Sequence, residues 1–483
     1  MVRSSPVALL SLLSIVAATG AGQTQDGRVN VPLALAEGQG CFITPEGAGL
    51  WSSLWDADTQ YFEAEDAANL TFQEGHGALE DAECGGEACV ARVVNADFPL
   101  TITEAGSYRI WARTFLPVAG SWGHEQSMDG GARRMIRESD ARIFGAWYWS
   151  PLGEYSLTRG EHTFTLHGWL GGAKLDAVIF SADPDFDPTS LRGTPAGPDA
   201  TRGTVTTRPL VPSAVARWGL LTADADRNGG LVAVQASLDG GATWIAAHTL
   251  PQGAVQGDGS DALLARFTLT AAPDGASPLL RGAQAAFTLS EDAEVTLETA
   301  AWRMAVARHT GALAGMLYRP LNLAVTPPHL QQPLVAVVMR EPGAAEQTVI
   351  PPDEIEFEGL TEGPGRLTLD FSALDKQLRL RIILTAAHPL AEWTLELTNN
   401  SPLEVIRIDF PLVGNAAIGD WGDDRFVLPQ TGGRIIDRPA TADREWSATY
   451  LGGGSMSFIE LCDAQAGLMV HMTDRELTTT EMG

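Results

Sequence analysis

Short runs in which apolar and polar residues alternate recur along most of this 483-residue chain. Tyr108, Ile110 and Ala112 alternate with Arg109 and Arg113, and Phe164 and Leu166 with Thr163 and Thr165. Farther on, Leu378 and Leu380 alternate with Arg379 and Arg381, and Trp393, Leu395 and Leu397 with Thr394 and Glu396. A period of two sends one residue type to each face of an extended strand. No long stretch carries the 3.6-residue period of an amphipathic helix. The 51 glycines and 28 prolines break the runs at spacings that suit antiparallel turns. The pattern predicts an all-β chain built of sandwiches rather than of alternating strands and helices.

A chain of this length exceeds one ordinary domain, and roughly 150 residues per domain suggests three. The Pro/Gly/Asp stretch from Asp183 to Pro198 reads as a linker that closes a first domain over 58–195. A small spacer sandwich over 212–299 follows, where Ser237-Leu-Asp-Gly-Gly-Ala-Thr-Trp244 has the turn chemistry of a hairpin. Ala301-Trp302-Arg303-Met304 then opens a third run, 301–483. No tandem repeat at solenoid or propeller periods is present.

Charge narrows the partners. A formal net charge of −28 repels nucleic acid and anionic lipid surfaces but does not oppose binding of a neutral glycan. At the N-terminus, Arg3 precedes an apolar run from Val7 to Ala18 and the small residues Thr19-Gly20-Ala21-Gly22, the layout of a secretory signal peptide over residues 1–22. The expectation is a secreted, periplasmic or cell-surface protein. No run approaches the roughly 20 apolar residues of a spanning helix, so no membrane span is expected.

Of the four cysteines, Cys84 and Cys89 stand in Cys-Gly-Gly-Glu-Ala-Cys, close enough to staple a loop by a disulfide in an exported chain. A zinc site is the competing reading, although the spacing is not Cys-x2-Cys and His76 has no obvious companion. Cys41 and Cys462 fall in different predicted domains.

Four pieces of the first domain, in order, are similar to family 6 and family 35 carbohydrate-binding modules. They are Tyr61-Phe-Glu-Ala-Glu-Asp66, Ala105-Gly-Ser-Tyr-Arg-Ile-Trp-Ala-Arg113, Gly160-Glu-His-Thr-Phe-Thr-Leu166 and Gly172-Ala-Lys-Leu-Asp-Ala-Val-Ile179. The resemblance implies a galactose-binding-like jelly roll whose first and last strands lie side by side, with a structural calcium ion at Glu63, Glu65 and Asp176. Three carboxylates suit such a hard cation. As residues alone, they read equally as solvated strand ends. In those modules loop aromatics bind polysaccharide or oligosaccharide, because a ring packs on the apolar face of a pyranose. The candidates here are Trp122, Trp147, Tyr148, Trp149 and Trp169, against the alternative that they fill an interior. Trp122, beside Gly120, Ser121, Gly123 and His124, has the most loop-like surroundings.

From residue 301 the chain resembles the galactose-mutarotase-like β-supersandwich that precedes the catalytic barrel of large bacterial glycoside hydrolases. Trp393-Thr-Leu-Glu-Leu-Thr-Asn-Asn400, Ile406-Arg-Ile-Asp-Phe-Pro411 and Met456-Ser-Phe-Ile-Glu-Leu-Cys-Asp463 carry that likeness. No catalytic pair emerges. His309, His329, His388 and His471 are scattered, Asp420, Asp423 and Asp424 read as a loop with local pairing to Arg425, and Gly453-Gly-Ser-Met-Ser457 lacks the closing glycine of a nucleophile elbow. Asp224-Ala-Asp-Arg-Asn-Gly229 begins like a calcium loop but has Gln235 at the twelfth position, where a glutamate is required. The expectation is the non-catalytic N-terminal half of a glycoside hydrolase whose barrel lies beyond residue 483. The alternative is a non-enzymatic glycan-binding or cell-surface protein.

Overall fold

The computed structural model describes residues 8–15, 28–31, 33, 36–56, 58–81, 83–117, 122–138, 147–169, 173–213, 215–246, 253–254, 262–289, 293–344, 347–387, 390–414, 416–419, 421–428, 434–437, 439, 448–450, 458–464, 466–473 and 480–482. Among them every long element is a strand, and the helical pieces are single 3-10 turns. The all-β architecture follows from the alternation. β-branched and aromatic residues pack on one pleated face while Arg, Thr and Glu face water on the other.

The first module is a two-layer jelly roll of eleven strands. They are β1 (Thr59–Glu63), β2 (Ala68–Phe72), β3 (Ala78–Glu80), β4 (Ala88–Ala91), β5 (Val93–Ile102), β6 (Gly106–Phe115), β7 (Trp122–Met128), β8 (Arg134–Glu138), β9 (Trp147–Leu157), β10 (Gly160–Trp169) and β11 (Lys174–Ser181). One sheet has the order β8-β7-β10-β5-β2, and the other the order β9-β6-β11-β4-β3 with β1 also paired to β11. Phe98, Tyr108, Phe164, Leu166, Val178 and Phe180 fill the space between them.

The second body is discontinuous in sequence. Leu231–Ser237, Leu264–Thr270 and Arg202–Thr206 form a sheet that Glu37–Gln39 extends. In the facing sheet Val215–Asp226 and Leu279–Leu289 are joined by Gly47–Leu50, Cys41–Thr44 and Arg28–Asn30. Val31, Ile43 and Leu50 therefore share one core with Trp218, Phe267 and Phe287. The jelly roll is an insertion between the first and later strands of this sandwich, and the 212–299 span expected from sequence holds only part of it. Strands as short as Glu37–Gln39 and Gly47–Leu50, which carry Gly38, Gly47 and Gly49, are too brief and too glycine-rich to show an apolar–polar alternation, which is why the pattern misses them.

The third body starts earlier than the expected residue 301. Glu294–Glu298 pairs with Trp302–Ala307, and Leu297 packs in the same core as Met304 and Trp393. A nine-stranded sheet runs from Glu356–Gly363 to Arg434–Asp437, beside sheets of four and three strands. Ala8–Ile15, the run expected as the apolar core of a signal peptide, is here a strand between Leu390–Asn399 and Gly467–Thr473. An apolar run of eight residues satisfies either role, since the slot between two open strand edges selects for length and hydrophobicity alone.

Candidate functional site

Strands β1 and β11 run antiparallel, with Glu63 opposite Ala177 and the Ala64 N–H donating to the Asp176 carbonyl at 2.8 Å. The register between β6 and β11 slips at this point. Arg113 faces Ala177 and Thr114 faces Leu175, so Asp176 is the extra residue of a β-bulge. The bulge breaks the period of two and turns a carboxylate out of the core row. Leu175 and Val178 remain in the interior, while Asp176 is wholly buried beside Glu63 and the turn Gly85–Glu87.

Asp176 is fully engaged. Its Oδ1 accepts the Gly85 N–H at 2.8 Å, and its Oδ2 accepts from Arg113 Nη1 at 2.6 Å. The same Arg113 nitrogen donates to the Glu83 carbonyl at 2.8 Å. Glu63 and Glu65 differ. Each keeps a buried Oε2 without a hydrogen-bond partner, and the Tyr61 hydroxyl reaches the same space with no well-aligned partner. Burial, reinforced by the nearby Asp176 charge, pushes Glu63 up to about 8 and Glu65 up to about 7.

The roof of this cradle is made of glycine. A Cβ on Gly85 would lie 2.6 Å from both Glu63 Oε2 and Tyr61 Oη. One on Gly86, which sits at a φ of +60°, would lie 3.1 Å from Glu65 Oε1. All three acids singled out from the sequence thus border one Gly-Gly turn: Asp176 accepts from the Gly85 N–H, and Glu63 and Glu65 lie against Gly85 and Gly86. The donor set is all oxygen and hard, and two of its buried carboxylate oxygens have no partner, the donor chemistry that a calcium-type cation takes; among the described residues, though, one oxygen from each of Glu63, Glu65 and Asp176 does not come within 4.8 Å of the others, so the three acids would have to draw together to share one ion. Beside Glu63 and Asp66 opens a cleft of about 410 Å³, lined also by Pro99, Pro198 and Asp199.

Cys84 and Cys89 are both buried and both free thiols, so the disulfide expected from their spacing is not formed in this structure. Their sulfurs and an Asp81 carboxylate oxygen lie within 4.8 Å of one another. The Cys84 thiol donates to Cys89, which lowers Cys89 and raises Cys84. Asp81 Oδ2 is held by Lys174 Nζ at 2.6 Å. Cys41 lies in the second body and Cys462 in the third, each a free thiol.

The aromatic candidates separate. Trp149 is buried in a cluster with Trp51, Tyr61 and Trp111, with Trp55 and Phe186 packed against it, and its ring centroid is 6.2 Å from that of Trp51. Trp51 follows the last strand that the second body contributes before the jelly roll, so this cluster is the seam between the two bodies and Trp149 is removed from the sugar-contacting set. Tyr148 packs on the jelly-roll core. Trp147 stays half-buried, with the Arg113 guanidinium 5.0 Å and Lys174 Nζ 5.9 Å from its ring centroid. Trp122 opens β7 instead of lying in a loop, and Trp169 closes β10; the side chains of both lie outside the described residues.

The remaining sequence candidates disperse. Asp224 and Asp226 belong to a strand, and Asp226 pairs with Arg281. His329 pairs with Glu294 at 3.0 Å. Arg425 pairs with Asp437 at 3.1 Å rather than with Asp423 or Asp424, while Asp424 accepts the Ile418 N–H. Asp420, His388 and 453–457 lie outside the described residues.

Sequence reasoning missed Arg113, Tyr61 and the Gly85–Gly86 roof, and also a polar row on the outer face of the five-stranded sheet. There Asp97 accepts from Asn69 at 2.8 Å, Asn95 at 3.3 Å and Thr165 at 2.8 Å, and Ser127 bonds His167 at 2.8 Å. Alternation in β5 and β10 marks these positions as outward, but outward polar residues are the default on a strand. The pattern could not distinguish a connected row from ordinary solvated side chains.

No protein-family profile matches the chain, and no curated protein matches it. Solved structures similar to it include the GH26-CBM35 β-(1,4)-mannanase of Podospora anserina, at 16% identity and a TM-score of 0.23 over 28% of this chain and 29% of that one. The family 35 carbohydrate-binding module from Clostridium thermocellum matches at 18% identity and a TM-score of 0.22 over 26% of this chain and 98% of that one. The N-terminal CBM22-1-CBM22-2 tandem domain of Paenibacillus barcinonensis Xyn10C matches at 12% identity and a TM-score of 0.17, over 48% of this chain and 97% of that one. The chain spans under a third of the mannanase.

Proposed function

We propose that this is a secreted carbohydrate-active protein whose first module binds a polysaccharide, with a structural calcium ion held by Glu63, Glu65 and Asp176. The observation that supports it most is the cradle itself: buried, partnerless carboxylate oxygens from the end of the first strand and the turn after it, set beside a bulged aspartate of the last strand. When bound, the cation would supply the positive charge that Glu63 and Glu65 lack and tie β1 to β11. Arg113 would keep Asp176 oriented, and Gly85 and Gly86 would keep water from the carboxylates. Trp147 is the ring best placed to pack on a sugar, while Asp97, Thr165 and His167 offer donors and acceptors for hydroxyls on the opposite sheet. The second and third bodies act in this reading as the scaffold of a glycoside hydrolase whose barrel lies outside the chain. A non-enzymatic glycan-binding protein is the second reading.

Titration of neutral plant and algal polysaccharides against the full chain tests the proposal. Binding is expected with calcium present and is expected to weaken on chelation. Trp147→Ala and Asp97→Ala then assign it to one face or the other. Absence of binding to every polysaccharide, with or without calcium, would remove the targeting role.

A further inference from the structure

Beneath the roof of the cradle sits the thiol pair that the proposed function leaves unused. Cys89 lies on β4, and β4 is paired to β11, where Val90 faces Leu175 and Ala91 faces Lys174. Cys89 is therefore fixed to the sheet that carries Asp176. Cys84 starts the turn. Its N–H donates to the Asp81 carbonyl at 3.0 Å, and its own carbonyl accepts the Glu87 N–H at 3.2 Å. The next residue is Gly85, whose N–H holds Asp176 and whose Cα faces Glu63. A bond between these two sulfurs would tie the turn to the sheet at the point where the turn covers the carboxylates.

A soft metal ion is the other use for two thiols and a carboxylate. The third donor is already engaged, because Asp81 Oδ2 is paired with Lys174 and its Oδ1 accepts the Glu83 N–H at 3.1 Å. Among the described residues no histidine and no further acid joins the group. A closed four-coordinate site is not available there.

We propose that Cys84 and Cys89 form a disulfide in an oxidising compartment, and that this bond holds the Gly85–Gly86 turn against Glu63, Glu65 and Asp176. The affinity of the cradle for a hard divalent cation then depends on the oxidation state of the pair. The coupling rests on the cation reading given above. The oxidant is a disulfide donor such as oxidised glutathione or a dithiol oxidase. The Cys89 thiolate attacks one donor sulfur and expels the other as a thiolate; the Cys84 thiolate then attacks Cys89 Sγ in the mixed disulfide and expels the second donor thiolate. Two protein thiols and one donor disulfide become one protein disulfide and two donor thiols, the two protein protons passing through solvent to the expelled donor thiolates.

The test uses the full chain recovered from an oxidising compartment. Thiol titration after denaturation without reductant should count two of the four cysteines, and peptide mapping should find 84 linked to 89. Calcium calorimetry, with terbium luminescence as a second hard-cation probe, should show affinity falling about tenfold on reduction, the scale expected from closing so short a loop. Cys84→Ser/Cys89→Ser should match the reduced protein, and Cys462→Ser should match the oxidised one. If the double variant does not fold, reduced wild-type protein with an unchanged near-ultraviolet dichroism spectrum serves instead. Four titratable thiols overturn the bond. Equal cation affinity in the two redox states overturns the coupling. If neither state takes up cation, the cation reading fails and the coupling fails with it, while the thiol count still decides the disulfide separately.

Discussion

The outer face of the six-stranded sheet is closed twice, by two unlike means. At one end Tyr61, Trp111, Trp149 and Ile179 meet Trp51 and Trp55, brought by the 3-10 turn that follows Gly47–Leu50, in an aromatic seam. Two residues farther along the same strands stand Glu63, Arg113 and Trp147, next to the bulged Asp176. There the cover is a Gly-Gly turn of the module itself. Alternation assigns Tyr61 and Glu63, Trp111 and Arg113, and Trp149 and Trp147 to one face. It does not say what covers each end. The seam is stabilised by area removed from water and needs no ligand, whereas the cradle buries charge without fully compensating it.

The largest test of that contrast is Trp51→Ala. Trp51 is wholly buried at the centre of the seam, so its removal is expected to cost about 3–5 kcal/mol in denaturant unfolding. Cation uptake should be unchanged. A loss of cation affinity of similar size would mean that the two ends are one cooperative unit.

Chelation probes the other end. A cation present at about a hundred times its dissociation constant stabilises the folded state by about 2.7 kcal/mol. Adding a chelator should therefore lower the melting temperature of wild-type protein by several degrees, and of Glu63→Gln much less. The Trp51→Ala background should show the same chelator effect as wild type if the two closures are independent.

A pH arm sets a group outside both closures against the carboxylates of the cradle. His124 is buried in the jelly roll against Gln126, and burial lowers it to about 4 from 6.5. The unfolded chain takes up this proton first, so His124 contributes stability above about pH 6.5 that is lost as the pH falls towards 4. In cation-loaded protein the acid limb is expected to amount to about 1–2 kcal/mol between pH 6.5 and 5 and to flatten in His124→Phe, whereas in chelated protein Glu63 and Glu65, raised to about 8 and about 7, gain stability as the pH falls through the same window and oppose it. An acid limb of the same size after chelation would show that Glu63 and Glu65 titrate as solvated carboxylates and would remove the buried cradle.

The strand content and the pairing of the first and last strands, which sets Glu63 opposite Ala177 next to Asp176, were legible, because period two and four ordered sequence pieces carry them locally. What escaped is non-local. Arg28–Asn30 pairs with residues near 285, and Glu37–Gln39 with residues near 205, across the whole jelly roll. Nothing in three-residue strands announces such partners. Arg113 reads as an ordinary outward arginine until the bulge at Asp176 brings a carboxylate beneath it. Trp149 reads as a sugar platform until the second body supplies Trp51.

The smallest expected effect is also the sharpest division between the two ends, because it compares residues two apart on one strand. Trp149→Ala should cost about 3 kcal/mol, since the ring is buried among aromatics that cannot collapse into its volume. Trp147→Ala should cost about 1 kcal/mol, the scale of the cation–π contact that its half-buried ring makes with the buried Arg113 guanidinium. Parallel denaturant titrations with equal slopes measure the difference. Equal losses at both positions would show that Trp147 is packed as the seam is packed, and would remove it as a surface for sugar.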